Sequence, residues 1–180
     1  MKSGGPYLID AAVFIQAKNQ YYAFSICPGF WDSLIGHFRV QNIFSIDHIR
    51  EELMRGNKTE DLVLWVKNEL SGGFFLATRD KEVVHCYEKM MLWVQRSPQF
   101  QDYAKAKFAT EADGWLAAYA KVYGYTVVTG EQYRPDARNK VPLPNVCREF
   151  DVKDCEVFHM LKDLNVQFEW KKQEIQAKTT

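Results

Sequence analysis

The stretch Tyr7-Leu-Ile-Asp-Ala-Ala-Val-Phe-Ile15 is apolar on consecutive residues except at Asp10. An apolar run without alternation is typical of a parallel strand that is covered on both faces. We therefore predict that residues 7–15 form the first and central strand of a sheet. A carboxylate inside such a strand is costly to bury without a cation, a hydrogen-bond set or a proton. Asp10 is thus the first candidate functional residue.

Strand and helix patterns alternate along the rest of the chain, which predicts an α/β protein with a mostly parallel sheet. The further predicted strands are 42–46, 74–77, 125–129 and 166–170, with a weak edge strand and a helix within 140–150. Predicted helices are 30–38, 47–54, 60–70, 80–95, a shorter one that ends at 107, 111–123 and 154–164. We predict one domain over residues 1–170 and a frayed polar tail over 171–180.

The composition limits the classes of protein to which the chain can belong. Hydrophobic residues make up 47% of the 180, and 23 Lys and Arg balance 23 Asp and Glu. This balance excludes a polybasic protein that holds a polyanion through a global positive field. Every apolar run is shorter than the roughly 20 residues of a membrane helix. Four cysteines without a CxxC pair favour reduced thiols, so we expect a soluble cytoplasmic protein.

Three further acids occupy positions where an inward-facing side chain is expected. Glu52 lies on the predicted helical face of Ile49, and Asp113 lies on the buried face that contains Leu116. Glu131 follows the fourth predicted strand by two residues, where the carboxyl end of a parallel strand opens into the ligand crevice of α/β proteins. Each acid taken alone also fits a structural role, as a solvated strand end, a first-turn helix acid or a loop residue.

Four acids that meet at one crevice repel each other unless a divalent cation neutralises them. Oxygen ligands select a hard ion, so Mg²⁺ or Mn²⁺ is the expected metal.

The sequence lacks the motifs of several other enzyme classes, because it contains no glycine-rich phosphate loop, GxSxG or HExxH. A haloacid-dehalogenase phosphatase is disfavoured because Ala12 stands where its second Asp is required.

Four short motifs occur in a fixed order. They are Leu8-Ile-Asp10 with Val13-Phe14-Ile15, Ser45-Ile46 followed by Glu52-Leu53, Ala112-Asp113-Gly-Trp-Leu116-Ala-Ala-Tyr-Ala120, and Val127-Val128-Thr129-Gly-Glu131. In this order and spacing they resemble the PIN-domain ribonucleases of the VapC-like toxin type, from Tyr7 to about Glu149. More narrowly, Tyr7-Leu-Ile-Asp10, residues 16–22, Pro28-Gly-Phe-Trp31 and residues 141–147 resemble a PIN-like bacterial subgroup described mainly as a domain of unknown function.

The resemblance implies a three-layer α/β/α sandwich and a metal-dependent endoribonuclease that holds one or two Mg²⁺ or Mn²⁺ ions. The catalytic and metal-binding acids that it implies are Asp10, Glu52, Asp113 and Glu131, with the Thr129 hydroxyl as a helper to metal-bound water. PIN domains usually have Asn, Ser or Thr two residues after the first acid, whereas this chain has Ala12. The resemblance also implies a toxin whose antitoxin covers the acidic pocket, and a homodimer.

Basic and aromatic residues near the predicted crevice are candidates for binding an RNA substrate. The candidates for holding phosphates are Lys18, Arg134, Arg138 and Lys140, and those for stacking on unpaired bases are Tyr21 and Tyr22. These residues also fit plain roles as solvated loop cations and as rings that close the core. An alternative function is a PIN-fold module that binds RNA or a protein without cleavage, which Ala12 and the aromatic segment 21–31 motivate.

Overall fold

The computed structural model describes residues 5–70 and 72–169, and within them five parallel strands form the central sheet. The strands are β1 (Tyr7–Ile9), β2 (Ile43–Ile46), β3 (Phe75–Leu76), β4 (Thr126–Val128) and β5 (Asp154–Cys155). Their order across the sheet is β3-β2-β1-β4-β5. The predicted central position of the first strand is confirmed.

Helices flank this sheet, and the PIN-like three-layer α/β/α architecture is confirmed. The helices are α1 (Ala11–Gln16), α2 (Pro28–Arg39), α3 (Asp47–Leu53), α4 (Asp61–Asn68), α5 (Lys81–Arg96), α6 (Asp102–Phe108), α7 (Asp113–Tyr123), α8 (Leu143–Glu149) and α9 (Val157–Asp163). A π-helical segment, Ala17–Tyr21, continues α1. In the part of the chain that the structure describes, no helix is long and apolar enough to cross a membrane.

The first predicted strand is wrong beyond Ile9, because residues 11–16 form α1 instead. Val13 and Phe14 are buried on this helix just as Leu8 is buried on β1. A fully buried helix and a fully buried strand both give consecutive apolar residues, so periodicity alone does not separate them. As a result Asp10 lies at the carboxyl end of β1 and not inside the strand.

The predicted C-terminal elements also need correction. Residues 154–155 begin the predicted helix 154–164 but form β5, which pairs with β4 through Val127↔Asp154 and Val128↔Cys155. Residues 140–142 form no edge strand, and residues 166–169 form no strand. Apolar and polar residues alternate over 166–169, and the apolar Phe168 packs on the ring of Tyr22 without forming a strand. Residue 170 and the predicted tail 171–180 lie outside the described residues.

The chain changes direction across the sheet between β1 and β4. It runs from β1 outward to β3 and then returns through α5, α6 and α7 to add β4 on the other side of β1. Gly124, in a left-handed conformation with φ +72°, ends α7 and turns the chain into β4. In open parallel sheets, the crevice outside the carboxyl ends of strands at such a reversal is the usual ligand site.

Candidate functional site

Two strand ends place Asp10 and Thr129 side by side. Ile9 pairs with Val128 across the parallel β1–β4 ladder, so the residues that follow them are neighbours. The Thr129 hydroxyl donates a 2.9 Å hydrogen bond to Oδ2 of Asp10, and both residues are buried. The backbone N–H of Glu131 donates to the Thr129 hydroxyl at 3.2 Å. This hydroxyl therefore connects the segments that carry two predicted site acids.

The Glu131 carboxylate is held by the start of α8 and by a lysine. Its Oε2 atom accepts a 3.0 Å hydrogen bond from the backbone N–H of Leu143, the first residue of α8. Its Oε1 atom forms an ion pair with the ammonium of Lys140. Both carboxylate oxygens thus have partners, and the orientation of the side chain is fixed.

Asp10 carries a proton more readily than an ordinary aspartate. Burial raises its pKa from the usual 3.8 to about 6, and the negative charges of Glu131 and Glu52 act in the same direction. The hydrogen bond from Thr129 opposes the rise because it favours the charged form. Asp10 is only 5% exposed, so water screens these charges weakly.

Asp113 lies at the start of α7, whose buried residues Leu116 and Ala117 pack in the core. Burial raises the pKa of this carboxyl well above its usual range, and the charges of Asp10, Glu131 and Glu111 raise it further. Charges perturb one another in this way only at short range. The structure therefore brings Asp113 into the same neighbourhood as Asp10 and Glu131.

Glu52 reaches this neighbourhood from α3 and is half-buried. Burial raises its pKa, the charge of Glu111 raises it further, and Arg55 opposes the rise. We call the set Asp10, Glu52, Glu111, Asp113 and Glu131 the acidic cluster.

Glu111 is a member that the sequence interpretation missed. Its side chain is 31% exposed and lies 3.5 Å from the ammonium of Lys107, one helical turn earlier. The available signal was its position two residues before Asp113, ahead of the buried helix α7. That position favoured a solvated helix-start acid, and so Glu111 was not singled out.

The acidic cluster has the donor chemistry of a hard divalent cation, since all its ligating atoms are carboxylate oxygens. Within residues 5–70 and 72–169, however, no three His, Cys, Asp or Glu side chains lie close enough together to hold one ion. In this structure the positive charge next to Glu131 comes from the ammonium of Lys140. Burial lowers its pKa, but the hydrogen bond and charge of Glu131, helped by Asp113 and Glu111, raise it overall. Ligation by the cluster therefore requires side-chain movement, first of all at Lys140.

A groove of about 1210 Å³ adjoins the acidic cluster. It lies along the segment 130–142 and includes Ala12, on the first turn of α1, in its wall. Arg134, Arg138 and Lys140, three of the four predicted phosphate-binding residues, line this groove. All three residues are exposed to solvent.

Hydrogen bonds fix the backbone of this groove segment from outside. The buried Asn145 side chain accepts from the N–H of Arg134 at 3.0 Å and donates to its carbonyl at 2.8 Å. Gln99 donates to the carbonyls of Pro135 and Ala137 at 2.7 and 2.8 Å. The segment is thus a braced loop whose arginine side chains are exposed.

The remaining predicted binding residues lie elsewhere. Lys18 does not line the groove, because its ammonium forms an ion pair with Glu60. Tyr21 is 58% exposed, while the ring of Tyr22 stacks on Phe30 at a centroid distance of 4.3 Å. Both tyrosines line a smaller cavity that opens beside the groove.

The fold is that of a PIN-like α/β sandwich. A family model described as Domain of unknown function (DUF4411) matches residues 7–168, and the chain belongs to this family. Among solved structures, a chain in "Structure of FitAB bound to IR36 DNA fragment" is similar, with a TM-score of 0.52 and 18% identity. The match covers 83% of this chain and 94% of that chain, and it shows a common fold. A search of curated proteins finds none that matches.

Proposed function

We propose that the protein is a metal-dependent endoribonuclease that acts as the toxin of a toxin–antitoxin pair. The observation that carries the proposal is the convergence of three acids: Asp10 and Glu131 follow the carboxyl ends of β1 and β4, and Asp113 begins α7 beside them. The charge of Glu131 raises the pKa of both Asp10 and Asp113, and the charge of Asp10 raises that of Asp113 further. Carboxylates that repel each other where the strand order of a parallel sheet reverses are typical of a site that is completed by a cation.

The chain's own residues have distinct roles in this proposal. Asp10, Glu52, Asp113 and Glu131 provide oxygen ligands for one or two Mg²⁺ or Mn²⁺ ions. Such an ion, when bound, lowers the pKa of a water and stabilises negative charge on the leaving 3′ oxygen. The Thr129 hydroxyl, fixed by its bond to Asp10, orients the attacking water. The products then carry 5′-phosphate and 3′-hydroxyl ends.

The braced loop holds the RNA substrate next to the acidic cluster. Arg134 and Arg138 extend from a fixed backbone into the groove, which suits phosphate recognition because little loop entropy is lost on binding. Lys140 pairs with Glu131 in the metal-free protein, and it would be free to bind a phosphate if a cation were to neutralise the carboxylates. The toxin assignment and an antitoxin partner rest on the PIN-like fold and on the likeness to FitAB.

The test compares RNA cleavage by the wild-type protein with that by Asp10→Asn and Asp113→Asn, in Mn²⁺ and in chelator. The matched control is Asp102→Asn, because Asp102 also begins a helix, α6, but its side chain is fully exposed to solvent. We expect cleavage by the wild type and the control in Mn²⁺ only, and at least a hundredfold less from the two cluster variants. Equal cleavage by all four proteins would identify a contaminating nuclease and refute the proposal.

A second candidate function is an RNA- or protein-binding module that does not cleave. Two observations favour it: Ala12 gives the groove wall no polar group beside Asp10, and Lys140 neutralises Glu131. In that case the wild-type protein binds RNA through Arg134 and Arg138, and added Mn²⁺ produces no cleavage.

A further inference from the structure

A small cavity of about 160 Å³ lies beside the groove and has aromatic walls. We call it the aromatic pocket; its walls include Tyr21, Tyr22, Val157 and Phe158. The rings of Tyr21 and Phe158 meet edge to face at a centroid distance of 6.0 Å and are 58% and 53% exposed. Large aromatic rings at this exposure offer open faces for stacking.

The aromatic pocket and the groove have a common boundary at Gln16 and Gly130, which line both spaces. The side chain of Gln16 lies directly over Gly130, since a Cβ atom at Gly130 would collide with Oε1 of Gln16. The glycine thus makes room for an amide at the point where the two spaces join. A ligand chain in the groove passes this amide before it reaches the pocket.

Two polar side chains of the aromatic pocket have no partner within the described part of the chain. The Gln16 amide and the Glu156 carboxylate make no hydrogen bond or ion pair there. Both residues are exposed and line the pocket, so their hydrogen-bonding atoms are available to a bound group. The Glu156 charge also repels phosphate, which keeps a nucleic-acid backbone on the side of Arg134 and Arg138.

We infer that the aromatic pocket is a subsite for one unpaired RNA base and that it selects a base with an exocyclic amino group. This inference rests on the proposed function, because the groove must hold the RNA backbone. The base stacks on the exposed face of the Phe158 ring, which Tyr21 supports through its edge-to-face contact, and the Glu156 carboxylate accepts a hydrogen bond from the amino group. Uracil presents its O4 carbonyl oxygen in place of the amino group of cytosine, and a carboxylate repels that oxygen. Gln16 binds the adjacent edge of the base and is a specificity-determining residue.

The sharpest test uses oligo(C) and oligo(U), which differ at each base in an amino group against a carbonyl oxygen. Binding of labelled six-residue oligomers is measured by fluorescence anisotropy with Asp113→Asn as the background, so that the RNA stays intact. We expect oligo(C) to bind several-fold more tightly than oligo(U). Phe158→Ala weakens both by roughly tenfold, the usual effect of losing one stacked base. The control Tyr103→Ala, which removes an equally exposed ring on α6, leaves both unchanged.

Two further variants separate stacking from base selection. Glu156→Ala is expected to bring oligo(U) binding up to that of oligo(C) or above, because the repulsive carboxylate is gone. Gly130→Ala has a compatible backbone and displaces the Gln16 amide, so it lowers the preference for oligo(C) and leaves oligo(U) binding unchanged.

The outcomes distinguish this inference from the proposed function. If Arg134→Ala and Arg138→Ala do not weaken RNA binding, the groove does not hold RNA and both proposals fail. If those variants weaken binding but Phe158→Ala behaves as Tyr103→Ala does, or oligo(C) and oligo(U) bind equally, the base subsite is refuted and the groove assignment stands.

Discussion

Substitution of Asp10 by Asn is predicted to stabilise the protein in metal-free buffer at neutral pH. Raising the pKa of this buried carboxyl from 3.8 to about 6 costs the charged folded state about 3 kcal/mol, since each pKa unit corresponds to 1.36 kcal/mol. Asn has nearly the same shape, carries no charge and still accepts the hydrogen bond from Thr129. For a chain of 180 residues, this gain raises Tm by roughly 6–12 °C.

The gain in stability from Asp10→Asn is expected to grow as the pH rises. A carboxyl whose folded pKa is raised binds a proton more tightly in the folded state, so wild-type stability falls as pH rises from about 4 to about 6. The wild-type protein bears nearly the full cost of the buried charge above pH 6, and this cost disappears below the usual aspartate pKa of 3.8. The difference between Asp10→Asn and wild type is therefore largest at pH 7.5 and below about 1 kcal/mol at pH 4.

The assay is urea unfolding at pH 7.5 and pH 4 in chelator and, at pH 7.5 alone, in millimolar Mg²⁺. Asp102→Asn is the control, because its side chain is fully exposed. Mg²⁺ is expected to stabilise the wild type more than Asp10→Asn, since an ion that binds only the folded state adds its binding free energy. A loss of more than 1 kcal/mol on Asp10→Asn in chelator at pH 7.5 would show that the carboxylate has a structural role, and would refute the argument.

Three further predictions concern the groove. Lys140→Met is expected to tighten Mn²⁺ binding, measured by calorimetry, by up to about fivefold, because a half-exposed ion pair with Glu131 is worth up to ~1 kcal/mol; weaker Mn²⁺ binding would count against competition by the ammonium. Asn145→Ala is expected to lower stability by about 1–3 kcal/mol and to weaken RNA binding, because it leaves the Arg134 backbone groups without their buried partner; unchanged RNA binding would show that the brace does not position the arginines. Ala12→Ser, which places a hydroxyl in the groove wall beside Asp10, is expected to increase cleavage at constant Mn²⁺; decreased cleavage with an unchanged Tm would show that the alanine suits this site better.

The sequence was informative about the site because strand ends are marked by abrupt changes in polarity. Asp10 follows a buried run directly and Glu131 follows one after Gly130, and parallel pairing then brings the ends of β1 and β4 together. The extent of β1 was not predictable, since the helix that follows it is apolar from Ala11 to Ile15 and only Asp10 separates the two elements. β5 was missed because a two-residue strand made of Asp154 and Cys155 has no β-branched or alternating signal.

Partners formed across long sequence distances were also beyond the sequence patterns. Lys18 was predicted to face the substrate, yet it pairs with Glu60, 42 residues away. Phe158 belongs to the aromatic pocket only because α9 packs against the π-helical segment that carries Tyr21. Neither contact has a local signature, because each depends on how separate elements meet in the folded chain.

One connection carries both the acid and the cations of the candidate site. Glu131 leaves β4 next to Thr129, and Arg134, Arg138 and Lys140 follow within nine residues before α8 begins. Asn145 at one end and the Thr129 hydroxyl at the other fix the path of this connection. The distance between the acidic cluster and the phosphate-binding groove is therefore set by a short braced loop, so insertions into residues 132–139 should uncouple RNA binding from cleavage. Mn²⁺ affinity of such an insertion variant should stay at the wild-type value, because none of the four proposed ligands, Asp10, Glu52, Asp113 and Glu131, lies within residues 132–139. A parallel loss of metal and RNA binding would show that the loop and the cluster do not act as separate units.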